Sequence, residues 1–516
     1  MTARTLFLYV SLVFVGYSQT VSDCEWQDRM VPCVITAEGM AIVEGDIVIG
    51  EVDSQPARKG PQIRSIVRQG EQFRWPGAVV PYESDPAIPN PRRIQDAIDH
   101  FHALTPVKLV PRNAEADYVR FRRFNAGGVC TSAVGRTGGM QAISVDDSCG
   151  VRTLIHEIGH ALGFFHEQSR YDRDQYVELL VENVDDGRLG QFMFPAGGKL
   201  QGDYDYASVM HYSAFAFSRG GPAMNTIPLG IPIGVGQGLS AGDLDAIERL
   251  YTEGPRVYRI STNPEGLPYS VDGETYTATR IFQWAPGSVH TIAAAASLPG
   301  TGPEDRWDFG RWSNSGPSVQ TIVADPNRTF FTANYRRMRR VTLRAADARM
   351  GRVEVEPHAD GGFYADGAAI TIRAVANPGY YFQAWQVGGR VTHGASLNPV
   401  PLTVRSLVAY TAMFSSKPLT TIATTPPNFQ VRVDGREYLA PQSFAWEPGG
   451  VQQVEPVPPP WAPSPDARGD PPSRFRLEGW EDGGPLMRDV TARQGPLTRT
   501  ARYRGQVRVR GFGATA

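Results

Sequence analysis

Three histidines and one glutamate in this chain are spaced as a divalent metal would need them. They lie in the run His156-Glu157-Ile158-Gly159-His160-Ala161-Leu162-Gly163-Phe164-Phe165-His166. On a helix, His156 and His160 sit four residues apart and share a face, so two imidazoles can reach one ion. Glu157 lies beside them, where its carboxylate can take a proton from a water activated by the metal. Gly163 can adopt the backbone angles that end a helix, letting the chain turn back and deliver His166 as a third ligand. Three protein ligands leave one position open to water, the arrangement of a catalytic zinc site; a structural site is closed by four. The five-residue motif alone is weakly specific, and the added glycine and third histidine at fixed offsets make it strongly so. The cofactor this pattern calls for is Zn2+, one ion per catalytic domain.

The ligand helix needs a scaffold, and the surrounding residues outline one. Ile94, Ala97, Ile98 and Phe101 recur at helical spacing behind Asn90-Pro91, predicting a helix. His100 and His102 lie in it without a partner at ligand spacing and read as ordinary helix residues. Tyr118 to Arg122 alternate as a strand does. Leu239-Ser240-Ala241-Gly242-Asp243 opens an amphipathic helix running to about Tyr251, with Ser240 as its N-cap.

Residues flanking the eleven-residue run carry a family resemblance. The run itself resembles the metzincin zinc motif. Glu167-Gln168-Ser169-Arg170-Tyr171-Asp172-Arg173-Asp174 resembles the extension found in the astacin family, and Ser208-Val209-Met210-His211-Tyr212 resembles that family's methionine turn. Trp75-Pro76-Gly77 with Val80-Pro81-Tyr82 resembles the start of the mature astacin domain. Gly135 to Gly139 with Gln141 and Cys149, and Leu239 to Tyr251, also match. The resemblance covers residues 66–252 and implies an α+β metzincin catalytic domain, a mixed sheet over a zinc-binding helix, followed here by all-β repeat modules.

What the resemblance implies about the site is specific. Zinc would be held by His156, His160 and His166, with Glu157 as general base in a metalloendopeptidase acting on protein or peptide substrates. Tyr212 would be an additional, displaceable zinc ligand whose hydroxyl stabilises the oxyanion. Met210 would pack beneath the histidines without touching the metal. Glu167 would pair with the α-amino group created when a pro-segment is removed. Upstream, Val43-Glu44-Gly45-Asp46-Ile47 resembles the family's pro-segment motif, in which an Asp, here Asp46, caps the zinc of a zymogen. Val43 stands where the family usually has an aromatic residue. Processing is expected between about Lys59 and Arg68, with Arg64 as a basic site. Family members commonly carry a second disulfide tying the front of the domain to its end; no cysteine lies between Cys33 and Cys130 or after Cys149, so only Cys130–Cys149 carries over. Gly236-Gln237-Gly238 replaces the Gly-Gln-Arg of some relatives that favour acidic residues, so that preference is not supported.

The 516 residues leave room for two to four domains, and 41% apolar with 20% charged residues excludes wholesale disorder. The net charge of −2 hides a split: residues 1–254 carry 22 basic and 31 acidic side chains, the remainder 29 and 22. Neither half has the dense basic patch of a nucleic-acid binder. Residues 1–18 read as a signal peptide, with Arg4, an apolar run from Leu6 to Val15 and Gly16-Tyr17-Ser18 at the cleavage site. No later stretch is a transmembrane segment, so secretion, to the extracellular space or a cell surface, is expected. Four cysteines suit an oxidising destination; they allow three pairings, of which Cys130 with Cys149 and Cys24 with Cys33 is one.

The expected organisation is a pro-segment at 19–65, too short for a core of its own, a protease domain at 66–252, and β-modules at 256–338, 339–416 and 417–516, the last with a Pro-rich insert and tail. The modules rest on an internal repeat. Val271-Asp272-Gly273 with Tyr276, Phe282, Trp284, Pro286 and Gly287 returns as Val433-Asp434-Gly435 with Tyr438, Phe444, Trp446, Pro448 and Gly449. Tyr380 to Trp385 with Gly388-Gly389 marks a divergent middle copy. They resemble repeat modules appended to many bacterial surface and secreted proteins, and their ligand is not readable. The rival reading is an adhesin or polymer-binding protein whose repeats carry the main function. Arg468-Gly469-Asp470 and the sequon-like Asn327-Arg328-Thr329 read as chance matches, and Arg336 to Arg340 as a solvated linker.

Overall fold

The computed structural model describes residues 20–26, 29–36, 40–51, 70–124, 128–193, 202–253, 255–394, 397–405, 409–458, 474–493 and 497–506. The expected signal peptide, the processing region around Arg64 and Arg468-Gly469-Asp470 lie outside the described residues. Two compact units form, one of residues 1–338 with 365–367 and one of 339–364 with 368–516.

In the first unit, the strands are β1 (Thr20–Trp26), β2 (Arg29–Ile35), β3 (Met40–Val43), β4 (Ile47–Glu51), β5 (Val79–Ser84), β6 (Lys108–Pro111), β7 (Tyr118–Arg123), β8 (Thr131–Ser132) and β9 (Met140–Val145). They make one nine-stranded sheet in the order β1-β2-β3-β4-β8-β9-β7-β5-β6. β6, β5, β7 and β9 are mutually parallel and β8 is antiparallel to β9, so the sheet is mixed. Alternation decides β7: Val119 and Phe121 point into the core while Arg120 is exposed. The helix α1 (Arg92–Leu104) buries Ile94, Ala97, Ile98 and Phe101, the four residues at helical spacing. Helix α2 (Val151–Leu162) is buried from Leu154 onward. Helix α3 (Ala241–Tyr251) starts at a capping box between Ser240 and Asp243. A single apolar core, with Trp75, Phe101, Phe121, Ile143, Ile158 and Ile247 among its members, joins sheet and helices.

Residues 20–51, too few for a core, borrow one. They fold as an antiparallel meander whose last strand β4 adds in parallel to β8 at Ile47 and Ser132. Cys33, Val43 and Ile47 bury themselves against Val134 and Phe165 of the following domain. Disulfides join Cys24 to Cys33 within the meander and Cys130 to Cys149 ahead of α2.

Each repeat is a pair of facing sheets. In the first module, Tyr258–Asn263 runs parallel to Phe330–Arg340 in one sheet, opposite a sheet of Tyr269–Val271, Glu274–Tyr276, Val289–Ala294 and Val319–Val323. The third module has the same pairings, with Leu419–Thr425 parallel to Leu497–Gln506. The repeated Asp-Gly forms the same tight turn in both, with φ of 50° and 88° at Asp272 and Gly273 and 47° and 79° at Asp434 and Gly435. Positive φ at both central residues is the type I′ geometry that fits the twist of a hairpin. The repeated aromatics stack alike: the Phe282 and Trp284 ring centroids are 5.0 Å apart and those of Phe444 and Trp446 5.3 Å apart.

One expectation is corrected. Arg336 to Arg340 is no solvated linker: it ends the strand Phe330–Arg340, where Arg336 donates to the Leu229 carbonyl at 2.7 Å and Arg337 pairs with Asp305 at 2.9 Å. The first module is also joined to the domain before it by polar contacts. Arg259 pairs with Glu248 of α3 at 2.7 Å, and Arg249 of α3 donates to Thr329 at 2.7 Å. Among the described residues no helix is long and apolar enough to cross a membrane.

Trp385 is fully buried in the core of the second module, between Phe382 and Tyr410. Trp385→Ala should cost that unit roughly 3–5 kcal/mol. Calorimetry of the full chain should show the transition of the 339–516 unit lowered and that of the first unit in place; a shift of both would mean that the two units unfold together.

Candidate metal centre

The site is built on the end of α2. His156 and His160 project from adjacent turns with ring centroids 4.6 Å apart. The helix stops at Gly163, whose φ of 113° puts it in the left-handed region and whose N–H donates to the His160 carbonyl at 2.7 Å. That reversal carries His166 back over the helix, where its ring stacks on His156 at 5.1 Å. The Nε2 atoms of His156 and His166 are then 3.2 Å apart.

Asp46, arriving from the turn between β3 and β4, closes the cluster. Its carboxylate oxygens lie 3.3 Å from His156 Nε2, 3.2 Å from His166 Nε2 and 3.6 Å from His160 Nε2. One ligand atom from each of these four residues falls within 4.8 Å of the other three. His160 Nε2 and Asp46 Oδ1 are buried without a hydrogen bond. Three imidazole nitrogens and a carboxylate oxygen aimed at one point, two of them unsatisfied, are the donor set a divalent zinc ion completes. Burial pushes the His160 pKa down to about 4, keeping the ring neutral as a ligand must be.

The outward nitrogens are held too. His156 Nδ1 lies 2.9 Å from the Val209 carbonyl, His160 Nδ1 2.6 Å from the Phe164 carbonyl, and His166 Nδ1 2.9 Å from the Glu44 carboxylate. Glu157 is 1% exposed and its Oε2 has no hydrogen bond. Burial first, and then the Asp46 carboxylate, push its carboxyl well above the usual range.

The other expected site residues surround this cluster. Met210 is buried against α2, its sulfur 2.7 Å from where a Cβ on Gly159 would stand. Tyr212 lies beside the site, its ring centroid 4.5 Å from that of His166, but its hydroxyl donates to the Glu44 carbonyl. Glu167 is buried away from the cluster, 3.2 Å from Arg170 and accepting from the Asp205 N–H at 2.8 Å. Burial pushes its pKa up to about 8, against the lowering effect of Arg170.

Three contributors escaped the sequence reading. Glu44 grips His166 and also accepts from Ser169 at 3.0 Å; its only signal was a place two residues before Asp46. Asp243 accepts from Ser208 Oγ at 2.6 Å and from the Val209 N–H at 2.9 Å, tying the methionine turn to the start of α3. Gln168 accepts from the Tyr212 N–H at 2.9 Å.

The family model for Astacin, a peptidase family, matches residues 67–252. Zinc metalloproteinase nas-6 of Caenorhabditis elegans is 36% identical over 251 residues, covering 46% of this chain and 69% of that protein. The chain belongs to the astacin family. Nematocyst expressed protein 6 of Nematostella vectensis is 32% identical over 230 residues, 42% of this chain and 78% of that protein. Among solved structures, the hatching enzyme zinc-protease HCE-1 of Oryzias latipes (medaka) is 33% identical, covering 34% of this chain and 92% of that one with a TM-score of 0.32. A second family model, described as Divergent InlB B-repeat domain, matches residues 341–418. As an astacin the chain is a zinc metalloendopeptidase, and the cluster at the end of α2 suits that cofactor.

His160→Ala removes a buried nitrogen that nothing else can replace. The full chain should carry one zinc by atomic absorption and the variant none; stoichiometric zinc in the variant would place the metal elsewhere.

Proposed function

We propose that the chain is a secreted zymogen of a zinc endopeptidase, latent because its own pro-segment occupies the metal centre. The convergence of His156, His160, His166 and Asp46 on one point carries this reading. His156, His160 and His166 would hold the zinc, and Asp46 would stand where a water must bind. Zinc, when bound, lowers the pKa of water and polarises the peptide carbonyl. The remaining chemistry belongs to this chain. Glu157, once Asp46 has left, accepts a proton from the attacking water and passes it to the leaving amine nitrogen. Tyr212, released from the Glu44 carbonyl, turns its hydroxyl to the oxyanion of the tetrahedral intermediate. Met210 keeps the underside of the histidines dry and fixed.

Several features support latency. Residues 20–51 add to the sheet edge at β8, and a sheet edge is the kind of surface a peptide strand can pair with. Gly45, at φ 81°, lies so close to Phe217 that a Cβ would stand 2.6 Å from its ring, so the backbone beside Asp46 is packed against the residues next to the histidines. Maturation would free an α-amine for Glu167, which the precursor holds with Arg170. Secretion is supported by the leader pattern and by two disulfides. The β-modules then serve as accessories to the protease.

Two variants test the reading. Glu157→Gln keeps the shape and zinc but cannot accept the proton, so turnover should fall by at least roughly 100-fold; a zinc-loaded variant with full turnover would sink the general-base role. Asp46→Ala should make the unprocessed chain active. If the intact wild-type precursor cleaves peptides as fast as Asp46→Ala and as the processed enzyme, Asp46 guards nothing.

A further inference from the structure

The outer faces of the three histidines are not held alike. A metal-ligating imidazole needs an acceptor on its second nitrogen to fix its tautomer and orientation. His156 and His160 find theirs on the protease domain itself, the carbonyls of Val209 and Phe164. His166 finds its acceptor on the pro-segment, the Glu44 carboxylate at 2.9 Å.

Glu44 is committed to this contact. It is 1% exposed, and its Oε2 accepts from both His166 and Ser169. Its backbone carbonyl takes the Tyr212 hydroxyl. Its φ of 47° is in the left-handed region, which a residue with a side chain disfavours. Its other carboxylate oxygen is buried without a hydrogen bond. A strained backbone and an unsatisfied buried oxygen both work against stability, and residues held so mark a functional constraint. The neighbours on either side keep it there: Val43 pairs with Ile47 across the turn, and both pack on Val134 and Phe165.

We infer that Glu44 is a positioning residue for the third zinc ligand, so the pro-segment retains the metal from outside the histidine cluster as well as capping it from within. This rests on the zinc reading of the site. It separates two roles that one segment performs: Asp46 excludes water, and Glu44 orients His166. When the pro-segment leaves, both go together, and His166 alone of the three histidines loses the acceptor it has here.

The test is zinc release. Full-chain precursors carrying Glu157→Gln, which blocks self-processing, are compared with Glu44 intact, Glu44→Gln and Glu44→Ala. Zinc per chain is measured first by atomic absorption, then its loss to excess chelator is followed with a chromogenic zinc indicator. Glu44→Ala should lose zinc about 10–100-fold faster than the Glu44 chain, the effect of removing an outer partner from a ligand. Glu44→Gln, whose amide oxygen still accepts, should lie between them. After an added protease removes the pro-segment, all three are the same polypeptide and should release zinc at one rate. Equal release from all three precursors, each starting with one zinc, would overturn the proposal. A Glu44 precursor that holds no zinc at all would instead overturn the reading of the site on which it rests.

Discussion

The site depends on the reversal of the chain at Gly163. Three imidazole nitrogens can meet at a point only if the third comes from outside the helix, because the face that carries His156 and His160 has no room for a third ring at helical spacing. Gly163 supplies the turn within one residue, at a φ that costs any residue with a side chain. The rest of the domain holds the two limbs of that turn together. The Glu167 N–H donates to the Met210 carbonyl at 3.1 Å, binding the descending limb to the methionine turn. The same turn offers the Val209 carbonyl to His156. It is anchored in its turn by Asp243, whose carboxylate also caps α3 through the Ser240 N–H at 2.9 Å. Helix cap, methionine turn and ligand helix therefore form one hydrogen-bonded chain, so a defect at the start of α3 would reach the metal ligands through backbone groups.

Burial sets the electrostatics of the same place. Glu157 and His160 are withdrawn from water, which favours neutral groups: burial brings the His160 pKa down to about 4 and lifts the Glu157 carboxyl well above the usual range. The first effect suits a ligand, and the second is the reverse of what a base needs. Asp46 adds to the second effect, because its negative charge opposes a second one on Glu157. On the proposed zymogen reading, Asp46 would disfavour the charged state of Glu157 electrostatically as well as occupy the place of the water, and departure of its segment would remove both obstacles at once.

Much of this was legible in the residues because the signals are local. Ligand spacing, the Gly163 stop, the apolar stripe of α1, the alternation of β7 and the Ser240 cap each depend on a few neighbouring positions, and so does the repeated Asp-Gly turn. Contacts that close long loops were not legible. The addition of β4 to β8 joins residues about 85 apart by backbone hydrogen bonds, which every residue can make and no composition announces. Glu44 carries no motif of its own, and its meaning comes from a ring 122 residues away. Arg336 to Arg340 looked like a solvated run because charge alone does not reveal partners; the acceptors are the Leu229 carbonyl and Asp305.

The first β-module belongs with the protease on the same physical grounds. Asp245 of α3 is 1% exposed, and a carboxylate so deep in the protein is tolerable only when it is paired and hydrogen-bonded. One partner is Arg249, a turn further along the helix at 2.7 Å, and the other is the hydroxyl of Thr329 in the module. Arg249 bonds Thr329 as well, so the three groups form a closed network across the junction. The next residue, Phe330, lines the same small cavity as Glu167, Arg170, Asp205 and Asp243. A chain ending after α3 would strip Asp245 of a buried partner and open the wall of the Glu167 pocket to water. The family's second disulfide, absent here, ties the front of the domain to its end; in this chain the end is tied instead to the module that follows, and Asp245 finds both of its buried partners only when the protease and its first β-module are present together.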